Sequence, residues 1–170
     1  MTTQSVSSIN ALKEYLHQRG ATFAAIPHER SFTSVEEARS LGITADEVLK
    51  TLVLDTAEGH ALAVIPASRR LDMHLVRQAT GDPHAHLASE DELRGDFVGY
   101  ELGAMPPVGS LVGARAYVDP EVFQHEIVAF AAGVQTESVR NRVEDLFRDE
   151  TIAIVTLAAH PEEEDKELLG

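Results

Sequence analysis

The chain has no cysteine, which excludes disulfides, thiolate metal sites and a cysteine nucleophile and leaves the redox compartment open. No apolar run approaches the roughly 20 residues of a membrane span. The opening Met1-Thr2-Thr3-Gln4-Ser5 lacks the basic-then-apolar order of a leader. A cytoplasmic protein with no membrane partner is expected. Positive charge is also scarce, 14 basic against 28 acidic residues for a net charge of −14. So acidic a surface repels nucleic acid in general; DNA is not an expected partner, and any polyanion must be met by a local basic patch or by shape. Part of the acidic excess lies in Pro161-Glu162-Glu163-Glu164-Asp165-Lys166-Glu167, so 159–170 reads as a solvated or disordered tail. The remaining 1–158 fits one domain, since 44% hydrophobic residues in a chain of 18.5 kDa supply a real core.

Several catalytic signatures are missing too. There is no Gly-x-Ser-x-Gly elbow, no phosphate-binding glycine signature and no His-Glu-x-x-His pair. His84-Ala85-His86, with His74 upstream, has no carboxylate at recognisable spacing and reads as a surface loop. No metal and no cofactor is expected.

The chain does contain short elements with clear ends. Ile9, Leu12 and Leu16 predict an amphipathic helix over Asn10 to Arg19, and Thr22 to Ile26 a strand. Capping boxes stand at Thr33 with Glu36 and at Thr44 with Glu47; Asp72 can cap a helix, and Ser89 with Glu92 another. Leu49 to Leu54 and His60 to Ile65 are apolar runs of strand length joined as a hairpin. Strands follow near Leu111 to Val118, Glu126 to Ala131, Gln135 to Arg140 and Thr151 to Leu157, with a helix capped by Asn141 through Phe147. Strands and helices mix without regular alternation or internal repeat. The expected class is α+β, with a compact, barrel-like mixed sheet and helices outside it.

Two places stand out. Gly99-Tyr100-Glu101-Leu102-Gly103-Ala104-Met105-Pro106-Pro107-Val108-Gly109 cannot be helix or central strand. It is either a rigid turn or a shaped loop holding amide N–H groups towards a carboxylate, a phosphate or a developing oxyanion. Lys50 sits inside an apolar strand, where its charge either reaches solvent or enters a cavity to meet an anion. Arg69-Arg70, at the entry to a helix, is a compact basic spot suited to phosphate or to an ion pair with Asp72.

In order, Phe32-Thr33-Ser34-Val35-Glu36-Glu37-Ala38, Asp46-Glu47-Val48-Leu49-Lys50-Thr51-Leu52-Val53, Val64-Ile65-Pro66-Ala67-Ser68-Arg69-Arg70-Leu71-Asp72 and the Gly99 to Gly109 segment resemble the YbaK and prolyl-tRNA synthetase-associated editing domains. The resemblance runs from about Asn10 to Leu157. It implies hydrolysis of the ester of a tRNA mischarged with a small amino acid, such as Cys-tRNA(Pro) or Ala-tRNA(Pro), by a freestanding domain. Aminoacyl-tRNA is then the partner, and a synthetase a possible second one.

In such relatives the lysine matching Lys50 is required and the loop matching Gly103 to Gly109 lines the pocket. The resemblance therefore implies catalytic roles for Lys50 and the Gly103 and Ala104 amides, and substrate contacts at Phe32, Thr51, Met105, Pro106, Gly109, Arg69 and Thr136. The resemblance implies no protein nucleophile, which leaves water and a substrate hydroxyl or side chain to react. This chain has Ala104 where many relatives have glycine, Pro106 where they have serine or threonine, and Thr136 where some carry aspartate. An inactive binding module of the same fold is the alternative reading.

Overall fold

The computed structural model describes residues 3–159, with side chains from residue 8 onward; the acidic tail lies outside the described residues. The first helix, α1 (Thr3–Gln18), buries Leu12, Tyr15 and Leu16 on one face and begins earlier than the apolar spacing predicts. Strand β1 (Phe23–Pro27) follows, then α2 (Ser34–Leu41). Thr33 caps α2 by accepting from the Glu36 amide. The Glu36 carboxylate, however, accepts from the Phe32 amide, one residue before the expected partner. The Thr44 box does not form: Ala45–Glu47 is a single 3-10 turn and Thr44 makes no side-chain cap.

The hairpin is β2 (Leu49–Thr56) and β3 (Gly59–Pro66), paired antiparallel with Lys50 opposite Ile65 and Asp55 opposite His60. Strand β3 is buried on both faces, which explains its unbroken apolar run. Ala61, Ala63 and Ile65 meet Val76 and Leu157 on one side; on the other, Leu62 meets Phe97 and Met105, and Val64 meets Val118 and Phe130. Next come β4 (Arg70–Leu71), α3 (Met73–Thr80), β5 (His86–Leu87) and α4 (Glu90–Asp96). Asp72 caps α3 through the His74 and Leu75 amides, and Ser89 with Glu92 forms the full capping box on α4, both as expected.

After the glycine and proline segment, β6 (Arg115–Val118) is shorter than expected because Gly109–Leu111 forms a 3-10 turn before it. Then follow β7 (Ile127–Ala131), β8 (Glu137–Arg142) and α5 (Val143–Phe147). Asn141 does not cap α5. It lies in β8, buried, with its amide nitrogen donating to the Thr22 carbonyl at 2.9 Å. The expected last strand divides into β9 (Ile152–Ile154) and β10 (Ala158–Ala159).

Among the described residues the strands form a mixed five-stranded sheet, β5-β2-β3-β6-β9, an antiparallel three-stranded sheet, β1-β8-β7, and the pair β10-β4. This is the expected mixed α+β architecture. The two larger sheets touch at the Val48 to Ala129 bridge without joining into one ring. Asp119 ties the end of β6 to the chain leading into β10, its buried carboxylate accepting from the Glu121, Leu157 and Ala158 amides. No helix among the described residues is long and apolar enough to cross a membrane.

Candidate active site

Lys50 is the second residue of β2, and the partner strand ends just past it at Pro66. Beyond Pro66 the chain stays close: the Ala67 amide donates to the Val48 carbonyl at 2.8 Å, and Arg69 N–H to the Pro66 carbonyl at 3.0 Å. That turn places the Arg69 carbonyl where Lys50 Nζ donates to it at 2.9 Å. The half-buried lysine therefore lines a cavity of about 280 Å3, with Phe32, Ser34 and Val35 on one side and Gly103 on another. The Arg69 carbonyl thus fixes where the ammonium stands in the cavity wall.

Gly103 takes φ +74°, and a Cβ there would lie 2.7 Å from the Phe32 carbonyl oxygen. Only glycine lets the two walls approach this closely. The loop is clamped from behind. The Glu101 carboxylate accepts from the Gln135 amide at 2.8 Å and from Arg30 at 3.1 Å, while the Gln135 side chain donates to the Leu102 carbonyl at 2.7 Å. Gly133 N–H closes the loop onto the Ala104 carbonyl at 2.9 Å. Arg30, Glu101 and Gln135 were not found from the sequence, because their spacing signals nothing until β8 brings them together.

Of the two amides expected to face the pocket, only one is available. Ala104 N–H donates within the loop to the Glu101 carbonyl at 3.1 Å. Gly103 N–H has no partner among the described residues.

Thr51 lines the Lys50 cavity and a second one of about 140 Å3, and Leu52 and Gly103 also belong to both. The second chamber is walled mainly by Val53, Leu93, Phe97, Tyr100 and Met105. Burial raises the Tyr100 phenol above its ordinary pKa. The Thr51 hydroxyl is buried and makes no hydrogen bond. A buried hydroxyl in that state costs about 1–3 kcal/mol unless a ligand supplies its partner.

Behind the cavity, Glu37 on α2 is buried and accepts from Ser138 Oγ at 2.5 Å, which in turn contacts His28 Nε2 at 2.7 Å. Burial outweighs the Ser138 bond and pushes the Glu37 carboxyl up to about 7.

The structure brings together Lys50, Thr51, Phe32, Gly103 and, in the second chamber, Met105. It does not bring the other residues there as side chains. Arg69 turns away to pair with Glu121 at 3.7 Å and contributes only its carbonyl; nor does Asp72, which caps α3, receive it. Pro106 is buried and lines neither chamber. At Gly109 a Cβ would lie 2.2 Å from the Ala114 carbonyl oxygen, so this glycine serves a tight turn. Thr136 is exposed, its carbonyl accepting from the His28 amide at 2.9 Å, and it too lies outside both chambers.

The aminoacyl-tRNA editing domain family matches residues 28–148, from β1's end to α5 and across every wall of both chambers. The chain belongs to that family. The editing domain is 28% identical over 83 residues to the proline–tRNA ligase of Thermosipho melanesiensis, a stretch covering 48% of this chain and 14% of the ligase. It is 29% identical over 77 residues to the proline–tRNA ligase of Fervidobacterium nodosum, covering 45% and 13% respectively. It thus matches about a seventh of the length of these ligases.

Two solved structures share the fold of this editing domain. One is the hypothetical protein APE2540, with a TM-score of 0.79 at 23% identity over 88% of this chain and 99% of that one. The other is named as a candidate trans-editing enzyme for prolyl-tRNA synthetase, with a TM-score of 0.76 at 24% identity over 90% and 98%.

Proposed function

We propose that this editing domain is an aminoacyl-tRNA deacylase that acts in trans, hydrolysing the ester of a tRNA mischarged with a small amino acid, with Cys-tRNA(Pro) and Ala-tRNA(Pro) the first substrates to test. The observation that carries the proposal is the cavity lined by Lys50, Thr51 and Gly103, in which an ammonium positioned by the Arg69 carbonyl stands with an amide that has no partner among the described residues. Such a cavity suits a polar ligand that carries or develops negative charge. Family membership and the similarity to segments of two proline–tRNA ligases support the choice of an aminoacyl ester.

In the reaction, water adds to the ester carbonyl. The bond from that carbon to the terminal ribose oxygen breaks, that oxygen takes one proton of the water and becomes a hydroxyl, and the amino acid leaves as its carboxylate, the other proton passing to solvent. Charge develops on the carbonyl oxygen, and the groups suited to it are the Lys50 ammonium and the Gly103 N–H. Alternatively, the ammonium holds the terminal adenosine's phosphate and the amide alone faces the oxyanion. Among the described residues, no lining side chain of the Lys50 cavity is a histidine or a carboxylate. Glu101, in the second chamber's wall, is already engaged by Gln135 and Arg30.

The proposal is tested by incubating the protein with Cys-tRNA(Pro) and Ala-tRNA(Pro), then with a wider mischarged panel. Release of amino acid above the buffer rate is expected for at least one substrate. A silent panel would overturn the proposal in favour of a binding module of the same fold. One observation favours that second reading: the Ala104 amide, which would have been a second oxyanion donor, is satisfied inside the loop.

A further inference from the structure

The far end of the β2–β3 hairpin carries a second cluster that the editing reading does not use. Asp55 at the end of β2, His60 at the start of β3 and Glu92 on α4 place one donor atom each within 4.8 Å of one another. Strand β5 adds His86, whose Nε2 lies 3.5 Å from Asp55 Oδ2. His60 follows Asp55 by 5 positions, His86 follows His60 by 26 and Glu92 follows His86 by 6, and three separate pairings assemble them: β2 with β3, β2 with β5, and α4 against the sheet.

We infer that Asp55, His60, Glu92 and His86 bind one divalent transition-metal ion, zinc being the best match to a mixed imidazole and carboxylate set. Two features support the inference. The Asp55 and Glu92 carboxylates each place an oxygen within 4.8 Å of the other. Like charges that near repel, and a cation between them relieves the repulsion.

The second feature lies outside the donor set. His60 Nε2 donates to Asp96 Oδ2 at 2.8 Å, and Nδ1 lies on the side of Asp55, 3.9 Å from its Oδ1, where loss of its proton turns a lone pair towards an ion. The competing contact, Nδ1 to the Leu54 carbonyl, is a long 3.4 Å. A carboxylate bracing the far nitrogen of an imidazole is the usual surrounding of a metal-bound histidine. The His60 ring is also steadied by Phe97, with centroids 5.1 Å apart.

An ion here would tie α4 to the hairpin. The same helix and its cap supply Leu93 and Phe97 to the second chamber, so the ion would brace a wall of that chamber without touching the Lys50 cavity. The inference is independent of whether the domain hydrolyses any ester.

The test uses the full chain without a purification tag, stripped with a chelator. It is titrated with Co2+, read by its d–d absorption, and with Zn2+ against a chromophoric chelator. One ion per chain is expected. Binding should disappear in His60→Ala and weaken about 10- to 100-fold in Asp96→Asn, whose side chain only braces the ligand. His84→Ala, outside the set, should bind as wild type does.

No stoichiometric ion in the wild type would overturn the inference and leave a shared proton between Asp55 and Glu92. Undiminished binding in His60→Ala would overturn it in favour of a surface histidine site. Circular dichroism reports whether His60→Ala is folded. If it is not, Asp55→Asn takes its place with the same two outcomes.

Discussion

The two ends of one hairpin carry opposite chemistry. At the open end Lys50, opposite Ile65, enters a cavity and donates to a carbonyl; at the turn end Asp55, opposite His60, lies with Glu92 and two imidazoles, and Asp96 holds the far side of the His60 ring. The two residues are five positions apart and so fall on opposite faces of β2. Lys50 shares the parity of Leu52 and Leu54, which pack with the α3 layer, and Asp55 that of Val53, which packs beneath α4. What separates the ends is how their polar groups are satisfied. At the turn end the imidazoles and carboxylates lie against one another, whereas the Lys50 end keeps a hydroxyl and an amide without partners among the described residues. Unsatisfied groups of this kind are tolerated where a ligand completes them.

Four substitutions sharpen this contrast. The largest effect on stability is expected behind the Lys50 cavity, at Glu37. Its folded pKa of about 7 lies above the ordinary value of 4.5, so its contribution to stability is complete below about pH 4.5 and is lost as pH rises through 7. The loss approaches about 3 kcal/mol at pH 8. Urea midpoints measured at pH 5 and pH 8 should separate for wild type and much less for Glu37→Gln; parallel behaviour of the two proteins would show that Glu37 does not titrate in this range.

Gly103→Ala comes next. It places a Cβ 2.7 Å from the Phe32 carbonyl at a backbone angle side chains rarely adopt, and should cost about 1–2 kcal/mol and reduce deacylation at least tenfold. Full activity in that variant would remove the loop from the site. Thr51→Val should leave stability unchanged or slightly raised, since it deletes an unsatisfied hydroxyl, while activity falls about tenfold. A loss of stability without loss of activity would mean that the hydroxyl serves the fold. The smallest effect belongs to the turn end: Asp96→Asn should leave deacylation within about twofold of wild type, because Asp96 lines neither chamber. A larger change in kcat would couple the two ends.

The hairpin itself was legible because two apolar runs around Asp55 to Gly59 have few other solutions, and the caps at Asp72 and Ser89 were legible because their partners lie within three residues. Lys50 and the Gly103 loop were legible as anomalies, a charge in an apolar run and five conformational specialists in eleven residues. What remained hidden depends on contacts between distant segments. Arg69 is drawn away by Glu121, and Asn141 is held in β8 by the Thr22 carbonyl. The cluster at Asp55 was invisible for the same reason. The histidines that attract notice in the sequence are His84 and His86, yet the fold selects His60 and His86 and supplies the carboxylates from β2 and α4.

The most direct test of the account compares the wild type with Lys50→Ala for hydrolysis of Cys-tRNA(Pro) and Ala-tRNA(Pro) under identical conditions. If the Lys50 ammonium faces the developing oxyanion, as proposed, its removal lowers the rate about 100- to 1,000-fold while the fold, read by circular dichroism, stays intact. Equal hydrolysis by the two proteins would contradict the assignment of the reaction to the Lys50 end of the hairpin.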